Sequence, residues 1–559
     1  MQSFTVMKYL RLIVLALLYL FPFASIAQWN NTPKYEYRAV WLTTVENLDW
    51  PKTRVNSSSD IPKQKKELIV LLDSLKRLNV NTVMMQTRVR GDVIYPSSIE
   101  PFSHVLTGTE GRSPGYDPLA FAIEECHKRG MQFHAWIVTM PLGKDEHIRR
   151  QGKLSLTRKS KELCTHYKGE WFMEPGNPAV APYLVNLVRE IVSGYDVDGV
   201  HFDYIRYPDR TKGYPDAVLH RKYGKGRTLA AWRRDNITVI ASALYRCVKE
   251  LKPWVRVSCA PLGKCNNLAR YRSLGWDAYN AVYQDAQAWV RDGIMDALFP
   301  MIYFDGNNFY PFVLDWQENS CGRHIVPGIG IYRLMKQYGG WPQIEIERQL
   351  NTSRTAGTAG TAMFRVEQLL ALGIPAYNKI YAAPALVPPM DWAGDAPGMP
   401  SGLKAFRDGD GISLEWDRAD AENGFPEIKY NVYGSLDSIV DIDNIGNLLS
   451  SAVDTTSYRW HCSTRSVMSV AVTAVNAYGI ESEPAVVTFG AEQALVDKIT
   501  LPELPGWGYR IVVSDTYGRV IYNGRYSCRL GTAGLASGCY MLRVYDRHGA
   551  LVDSRIFAI

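Results

Sequence analysis

The chain is sparing with the residues that carry thiol and metal chemistry. Its 559 residues hold nine cysteines and ten histidines. The cysteines, at 126, 164, 247, 259, 265, 321, 462, 528 and 539, form no CxxC pair, which argues against a zinc knuckle. Their number is odd, so a complete disulfide framework is excluded. Cys126, Cys247 and Cys259 lie in apolar contexts and read as buried thiols, while Cys528 and Cys539 are candidates for a bridge between two strands of the last domain. No GxGxxG follows the first predicted strand, no GxSxG elbow follows any strand, and no P-loop is present. Dinucleotide binding, serine hydrolysis and nucleotide hydrolysis each lose their usual sequence support. Only His134 and His201 fall within the predicted strands described below, so the sequence predicts no metal and no cofactor. There is no block of Lys or Arg, and a formal charge of +7 is mild over this length, which speaks against a nucleic-acid partner.

Long hydrophobic runs are missing except at the amino end. Met7 to Arg11 is a basic segment, Leu12 to Phe23 is apolar, and Ser25-Ile26-Ala27 supplies small residues for cleavage after Ala27. Residues 1–27 therefore read as a signal peptide, and the protein as exported: periplasmic, surface-bound or secreted. The run is too short for a membrane span, and no other stretch resembles one. No Cys follows the apolar run, so the signal is not of the lipoprotein kind.

Eight short apolar strands alternate with helices across residues 28–386. They are predicted at Tyr37–Leu42, Thr82–Gln86, Gln132–Val138, Val197–Phe202, Val255–Ala260, Ala297–Ile302, Ile325–Ile331 and Gly360–Phe364. Polar residues gather after these strands and not before them. That asymmetry is what a (β/α)8 barrel with a working upper face requires. From Val387 the composition changes to a Pro-rich linker. Residues 395–490 then show short alternating strands that resemble a fibronectin type III sandwich with Trp416 at its core. Residues 500–559 are again all strand and resemble a C-terminal sorting module.

The stretch from Val197 to Pro208 organises the barrel. It passes from the apolar Val197, Val200 and Phe202 to Asp203, Arg206 and Tyr207 within a few residues. Other carboxylates at or beyond strand ends are Glu46, Asp49, Asp92, Glu174, Asp285, Asp305 and Glu367. Around them stand Trp41, Trp50, Trp136, Trp171, Tyr204, Tyr303, Phe304 and Tyr332. Flat aromatic faces beside carboxylates suit a sugar, and glycosidic cleavage normally uses two carboxyl groups.

Several motifs then carry a resemblance. Arg38 to Thr44, Asn47 to Pro51, Gln86 to Pro96, His134-Ala135-Trp136, Asp198 to Pro208, Tyr283-Gln284-Asp285 with Trp289, and Pro300 to Tyr303 are similar, in this order, to the glycosyl-hydrolase-like 10 family. These are exported bacterial (β/α)8 proteins. The resemblance covers residues 34 to 385 and implies cleavage of peptidoglycan glycan strands, especially those without stem peptides. Three departures stand out. Arg88-Val89-Arg90-Gly91-Asp92 replaces the usual Arg-Pro-x-Gly-Asp, Val138 to Leu142 replaces an Asn-Pro-Tyr-Arg run, and Glu174-Pro175-Gly176 replaces Asp-Pro-Gly. Asp198 to Pro208 also resembles the fourth-strand signature of family-18 chitinases, with Asp203 at its last Asp. Ile205 and Arg206 stand where that signature has its Glu, so the chitinase mechanism does not carry over whole.

The expectation is a glycoside hydrolase centred on Asp203, as acid or as the group that positions the reacting sugar. Asp285 is expected as the second carboxylate, with Glu367 and Asp305 in reserve. Arg206 and Arg90 are expected to tune the carboxylates and grip substrate oxygens. Asp92, His134, Trp136, Tyr207, Tyr303 and Tyr332 complete the expected polysaccharide-binding set. Two alternatives stay open: a hydrolase of a capsular or host polysaccharide, and a glycan-binding barrel without turnover.

Overall fold

The computed structural model describes residues 32–558 apart from 272, 274, 409–410, 422–423, 437–438, 462–467, 490–498, 501–508, 516–518, 527–528, 531–538 and 548. The expected signal peptide and Cys528, with its expected bridge to Cys539, lie outside the described residues.

The chain divides into two compact units, and the first contains Tyr35–Ala393. Its sheet is built from β1 (Tyr37–Leu42), β2 (Thr82–Arg88), β3 (Gln132–Val138), β4 (Gly199–Asp203), β5 (Arg256–Cys259), β6 (Ala297–Leu298), a broken β7 (His324–Ile325 and Gly328–Ile329) and β8 (Gly360–Met363). All neighbours are parallel. The two halves of β7 close the ring. His324–Ile325 pairs with β6, Gly328–Ile329 pairs with β8, and β8 pairs with β1. The result is the expected (β/α)8 barrel.

The sixth and seventh strands are shorter than their apolar runs predict. Pro300 and Pro327 fall inside those runs and cannot donate to the ladder. At the opposite seam β8 comes very close to β1. A Cβ on Gly360 would lie 2.2 Å from the Tyr37 carbonyl oxygen, and its φ is +135°. Only glycine fits there.

Side chains alternate across each strand. One set packs outward on the helices: α1 (Ile61–Arg77) buries Leu68, Leu72 and Leu75, and α4 (Val180–Gly194) buries Leu184, Leu187, Val188 and Ile191. The other set fills the barrel with Tyr37, Ala39, Trp41, Met84, Trp136, Val138, Phe299 and Val326. The barrel is thus a packed core.

Two insertions rise above the upper face. The segment after β3 forms a three-stranded antiparallel sheet, Pro141–Lys144, Glu170–Met173 and Cys164–Tyr167 in spatial order, with the helix α3 (Asp145–Gln151) between its first two chain segments. The segment after β4 leads through Asp209 and Arg210 to the long helix α5 (Leu229–Leu251).

The second unit contains the described residues from Gly394 onward together with residues 32–34. It holds a three-stranded sheet (Lys404–Asp408, Gly411–Glu415, Ser457–His461) and a four-stranded sheet (Leu448–Val453, Lys429–Ser435, Met468–Val475, Ala485–Phe489). Trp416, Tyr430, Val432, Val470 and Val472 share one core. A further four-stranded antiparallel sheet runs from Arg510–Asp515 to Leu551–Ala558. Among the described residues no helix is long and apolar enough to cross a membrane. Of the described cysteines, Cys126, Cys247, Cys259 and Cys265 are buried free thiols and Cys321 is an exposed one.

Candidate active site

Asp203 is the last residue of β4, in register with Val138 of β3. It is 4% exposed. Burial alone would push its carboxyl far up, and three contacts moderate this. The Arg206 guanidinium favours the charged form, the Tyr204 N–H donates to Oδ1 at 2.7 Å, and Trp136 Nε1 donates to Oδ2 at 3.2 Å. The balance holds the group at about 6, and no second carboxylate contributes to it. Burial and the nearby Asp203 carboxylate also hold the Tyr303 phenol well above its ordinary range.

Beneath Asp203, Trp41 Nε1 donates to His201 Nε2 at 3.1 Å, leaving the His201 Nδ1–H to donate to the Ser258 hydroxyl at 2.9 Å. Burial keeps that imidazole neutral. This layer is a fixed floor under the carboxylate.

Val138, Tyr204 and Arg206, the neighbours of Asp203, line a cleft of about 550 Å³ on the upper face. Its charged lining comprises Arg90, Lys144, Lys168, Arg206 and Arg210 against Glu170 and Asp209. The basic side chains come from the loops after β2, β3 and β4, and two belong to the inserted sheet. Tyr204 sits at φ +51° and is 41% exposed. The Arg206 guanidinium lies over its ring at 4.6 Å and within 5.8 Å of the exposed Trp276 ring. Arg206 pairs with Asp209, yet its buried Nε has no hydrogen-bond partner. Gln86, also in the lining, accepts the N–H groups of Thr44 and Val45 and so ties the β1 loop to the β2 end.

The expected second carboxylate, Asp285, is not among the groups that shift Asp203. Asp285 is the N-cap residue of α6 (Ala286–Arg291), where Arg291, Arg234 and Asp292 are its charged neighbours. Glu367 pairs with Arg365 at 2.6 Å, and Arg365 in turn grips the buried Asp49. These two carboxylates join the β8 loop to the β1 loop. Asp305 is exposed and stands before a short 3-10 turn, Gly306–Asn308.

Other expected contacts move as well. His134 is fully buried in mid-barrel, where a Cβ on Gly199 would lie 2.7 Å from its ring. Burial pushes its pKa down to about 3. Tyr207 is fully buried among Tyr214 and Tyr283, because the backbone after Arg206 turns back into the helix layer. Trp136 orients Asp203 and offers no face to a sugar. Tyr303 and Tyr332 meet edge to face at 6.0 Å, both half-buried. Arg90 and Arg206 do line the cleft. Asp92 is buried beside His147.

Sequence reading missed three features. Gln284, inside the quoted Tyr283-Gln284-Asp285 motif, donates to the Ile205 carbonyl and accepts the Leu262 N–H, which fixes the backbone next to Arg206. Within that motif the amide holds the loop after β4, while Asp285 stands at the start of α6. Trp276 was overlooked because it lies in a loop without periodicity. The third is a cluster: Asp92, His104, Glu110 and His147 bring ligand atoms within 4.8 Å of one another, although no metal spacing is visible in the chain.

The family model described as Glycosyl hydrolase-like 10 matches residues 36–338. Glycosyl hydrolase YngK of Bacillus subtilis (strain 168) is 32% identical over 426 residues, spanning 70% of this chain and 81% of that protein. Glycosyl hydrolase DigH of Escherichia coli (strain K12) is 31% identical over 367 residues, spanning 59% of this chain and 83% of that protein. Among solved structures, alpha-L-fucosidase isoenzyme 2 from Paenibacillus thiaminolyticus is 17% identical with a TM-score of 0.43, over 62% of this chain and 49% of that one. The motifs quoted from β1 to β6 and the barrel that carries them agree with the matched span, and this chain belongs to the glycosyl hydrolase-like 10 family.

Proposed function

We propose that this protein is an exported glycoside hydrolase that cleaves peptidoglycan glycan strands lacking stem peptides, with Asp203 as the general acid. The single observation that carries the reading is Asp203 itself, a buried carboxyl at the C-terminal end of a barrel strand, held at about 6 and next in the chain to the cleft-lining Tyr204. A carboxyl so placed is protonated over a useful range below neutrality. It can give its proton to the glycosidic oxygen as the C1–O bond breaks.

The lining supports the choice of glycan. Five basic side chains face two acidic ones. Removing the stem peptide from a muramic acid residue frees its lactyl carboxylate, so a bare strand carries one negative charge per disaccharide. A basic cleft favours that polymer over a neutral one. No second carboxylate is among the groups that shift Asp203, and this supports an N-acetylated sugar as well. A direct nucleophile would stand about 5–5.5 Å from the acid, and none contributes to the electrostatics of Asp203. In a substrate-assisted route the acetamido oxygen attacks C1 instead, and water then opens the cyclic intermediate.

The test is product analysis by mass spectrometry on glycan strands with and without stem peptides and on neutral chitin oligosaccharides, beside Asp203→Asn. Bare strands are expected to yield fragments with wild type, and the variant to be slower by about 10²–10⁴-fold. Faster cleavage of the neutral or peptide-bearing polymer would refute the substrate reading. The same want of an acidic partner for Asp203 favours one other reading, a glycan-binding barrel without turnover. Binding to bare strands by both proteins, with no product from either, would select it.

A further inference from the structure

We propose that Asp92, His104, Glu110 and His147 form a binding site for one divalent transition metal ion, zinc by donor chemistry, in the loop layer behind Arg90. The four residues come from separate stretches of chain. Asp92 follows β2, His104 and Glu110 lie in the long connection to the helix α2 (Pro118–His127), and His147 belongs to α3. Their ligand atoms lie within 4.8 Å of one another, and Glu110 Oε1 is already 3.2 Å from His104 Nδ1. Tetrahedral zinc with bonds of about 2.0–2.1 Å needs ligand atoms roughly 3.4 Å apart. Modest closure of the widest pair meets that need. Two imidazoles with two carboxylates favour zinc and its neighbours over magnesium or calcium.

A second observation points into the cluster. The Asp92 and Glu110 side chains are 2% and 5% exposed, and Asp92 Oδ1 and Glu110 Oε2 are buried without any hydrogen-bond partner. Two buried carboxylates side by side, each with an unused oxygen, are costly unless a cation satisfies them. His147 is also held as metal-binding histidines are held. Its Nε2–H faces the Arg90 carbonyl at 3.1 Å, so the lone pair of the ring is at Nδ1. Gly143 makes room for the ring, since a Cβ there would lie 2.8 Å from His147 Cδ2.

Arg150 is the competitor. Its Nη2 lies 2.9 Å from His147 Nδ1 and 3.5 Å from His104 Nδ1, and its Nε donates to Glu110 Oε1 at 2.9 Å. The guanidinium reaches three of the four ligands from a side chain that is 38% exposed, so it can withdraw into solvent when an ion enters. Such a site would lock the loop that carries Arg90 to the inserted sheet that carries Lys144.

The test titrates zinc chloride into the purified full chain by calorimetry. Elemental analysis after gel filtration gives the stoichiometry, and magnesium chloride serves as control. Wild type is expected to hold one zinc per chain and no magnesium. The double variant His104→Ala/His147→Ala is expected to bind more weakly by about 100-fold or more. Asp92→Asn, nearly isosteric, is expected to weaken binding if the double variant fails to fold by circular dichroism. Arg150→Gln is expected to bind zinc more tightly than wild type, because the competitor is gone. The proposal is overturned if neither wild type nor Arg150→Gln retains zinc, since Arg150 is then the cation of the cluster. Undiminished binding by a folded ligand variant also overturns it. None of these readouts requires glycan turnover, so they stand apart from the proposed reaction.

Discussion

Asp203 is held at an energetic cost, and the cost is measurable. Its carboxyl sits at about 6 in the folded protein against roughly 3.9 in an unfolded chain. A group whose folded pKa is raised binds its proton more tightly when folded. Below about pH 4 it is neutral in both states and contributes no penalty. As pH rises towards 6 and beyond, the folded state becomes progressively less stable relative to the unfolded one. Asp203→Asn should therefore be more stable than wild type at pH 7 by about 2–3 kcal/mol, with the gain fading below pH 4. Urea unfolding at several pH values checks this. A variant equally stable at pH 4 and pH 7 relative to wild type would show that the carboxyl is not buried as described.

Arg206 acts on the same proton in the opposite sense. Its charge lowers the Asp203 pKa, so Arg206→Gln raises it. If Asp203 works as an acid, activity declines as pH climbs through its pKa. The alkaline limb of kcat/KM should then move to higher pH in Arg206→Gln, by about one pH unit. Trp136→Phe removes a hydrogen bond to the same carboxylate and should move that limb the same way. A limb that stays put in both variants would assign it to another group.

At the scale of elements, buried ion pairs fasten the loops that shape the cleft. Arg88, at the end of β2, bonds Glu100 at 2.6 and 2.8 Å and donates to the Thr139 carbonyl beyond β3 at 2.9 Å. Both partners are nearly inaccessible to solvent. Arg88→Ala leaves Glu100 charged and alone and should cost about 3–5 kcal/mol, read as a lower urea midpoint. Gly360→Ala should be worse still, because its Cβ meets the β1 backbone at the seam of the barrel. Failure to accumulate folded protein is the expected outcome. A soluble Gly360→Ala barrel of wild-type stability would mean that the seam is looser than its distances imply.

For the whole molecule, the barrel unit Tyr35–Ala393 closes its own sheet and buries its own cores. It extends beyond the expected boundary at residue 386, because Trp392 packs on His324 at 4.8 Å and under the Arg323 guanidinium at 4.5 Å. A chain ending at Ala393 is expected to unfold cooperatively and to keep activity on soluble glycan fragments. One ending at residue 386 loses the Trp392 contact and should be less stable. Equal melting of the two would show that the added residues contribute nothing.

Much of this was legible in the sequence. Apolar strands of period two, helices of period three to four, and polar residues crowded after each strand determine a barrel with a reactive upper face, because each signal is local. The change from Phe202 to Asp203 and Arg206 within one short stretch marked the candidate site for the same reason. Which other side chains meet Asp203 was not legible. Asp285, Glu367 and Asp305 stand after strands as Asp203 does, yet the basic neighbours Arg291 and Arg234, a loop-to-loop ion pair and solvent claim them. His134 and Tyr207 looked like contacts because of their neighbours in sequence, and were buried by the phase of a strand and the direction of a turn. The basic cleft wall and the Asp92–His104–Glu110–His147 cluster gather residues from distant loops. Local periodicity determines which elements form and which end of them carries polar chemistry. Only tertiary packing decides how the loops above them fold over one another, and it is there that partners are chosen.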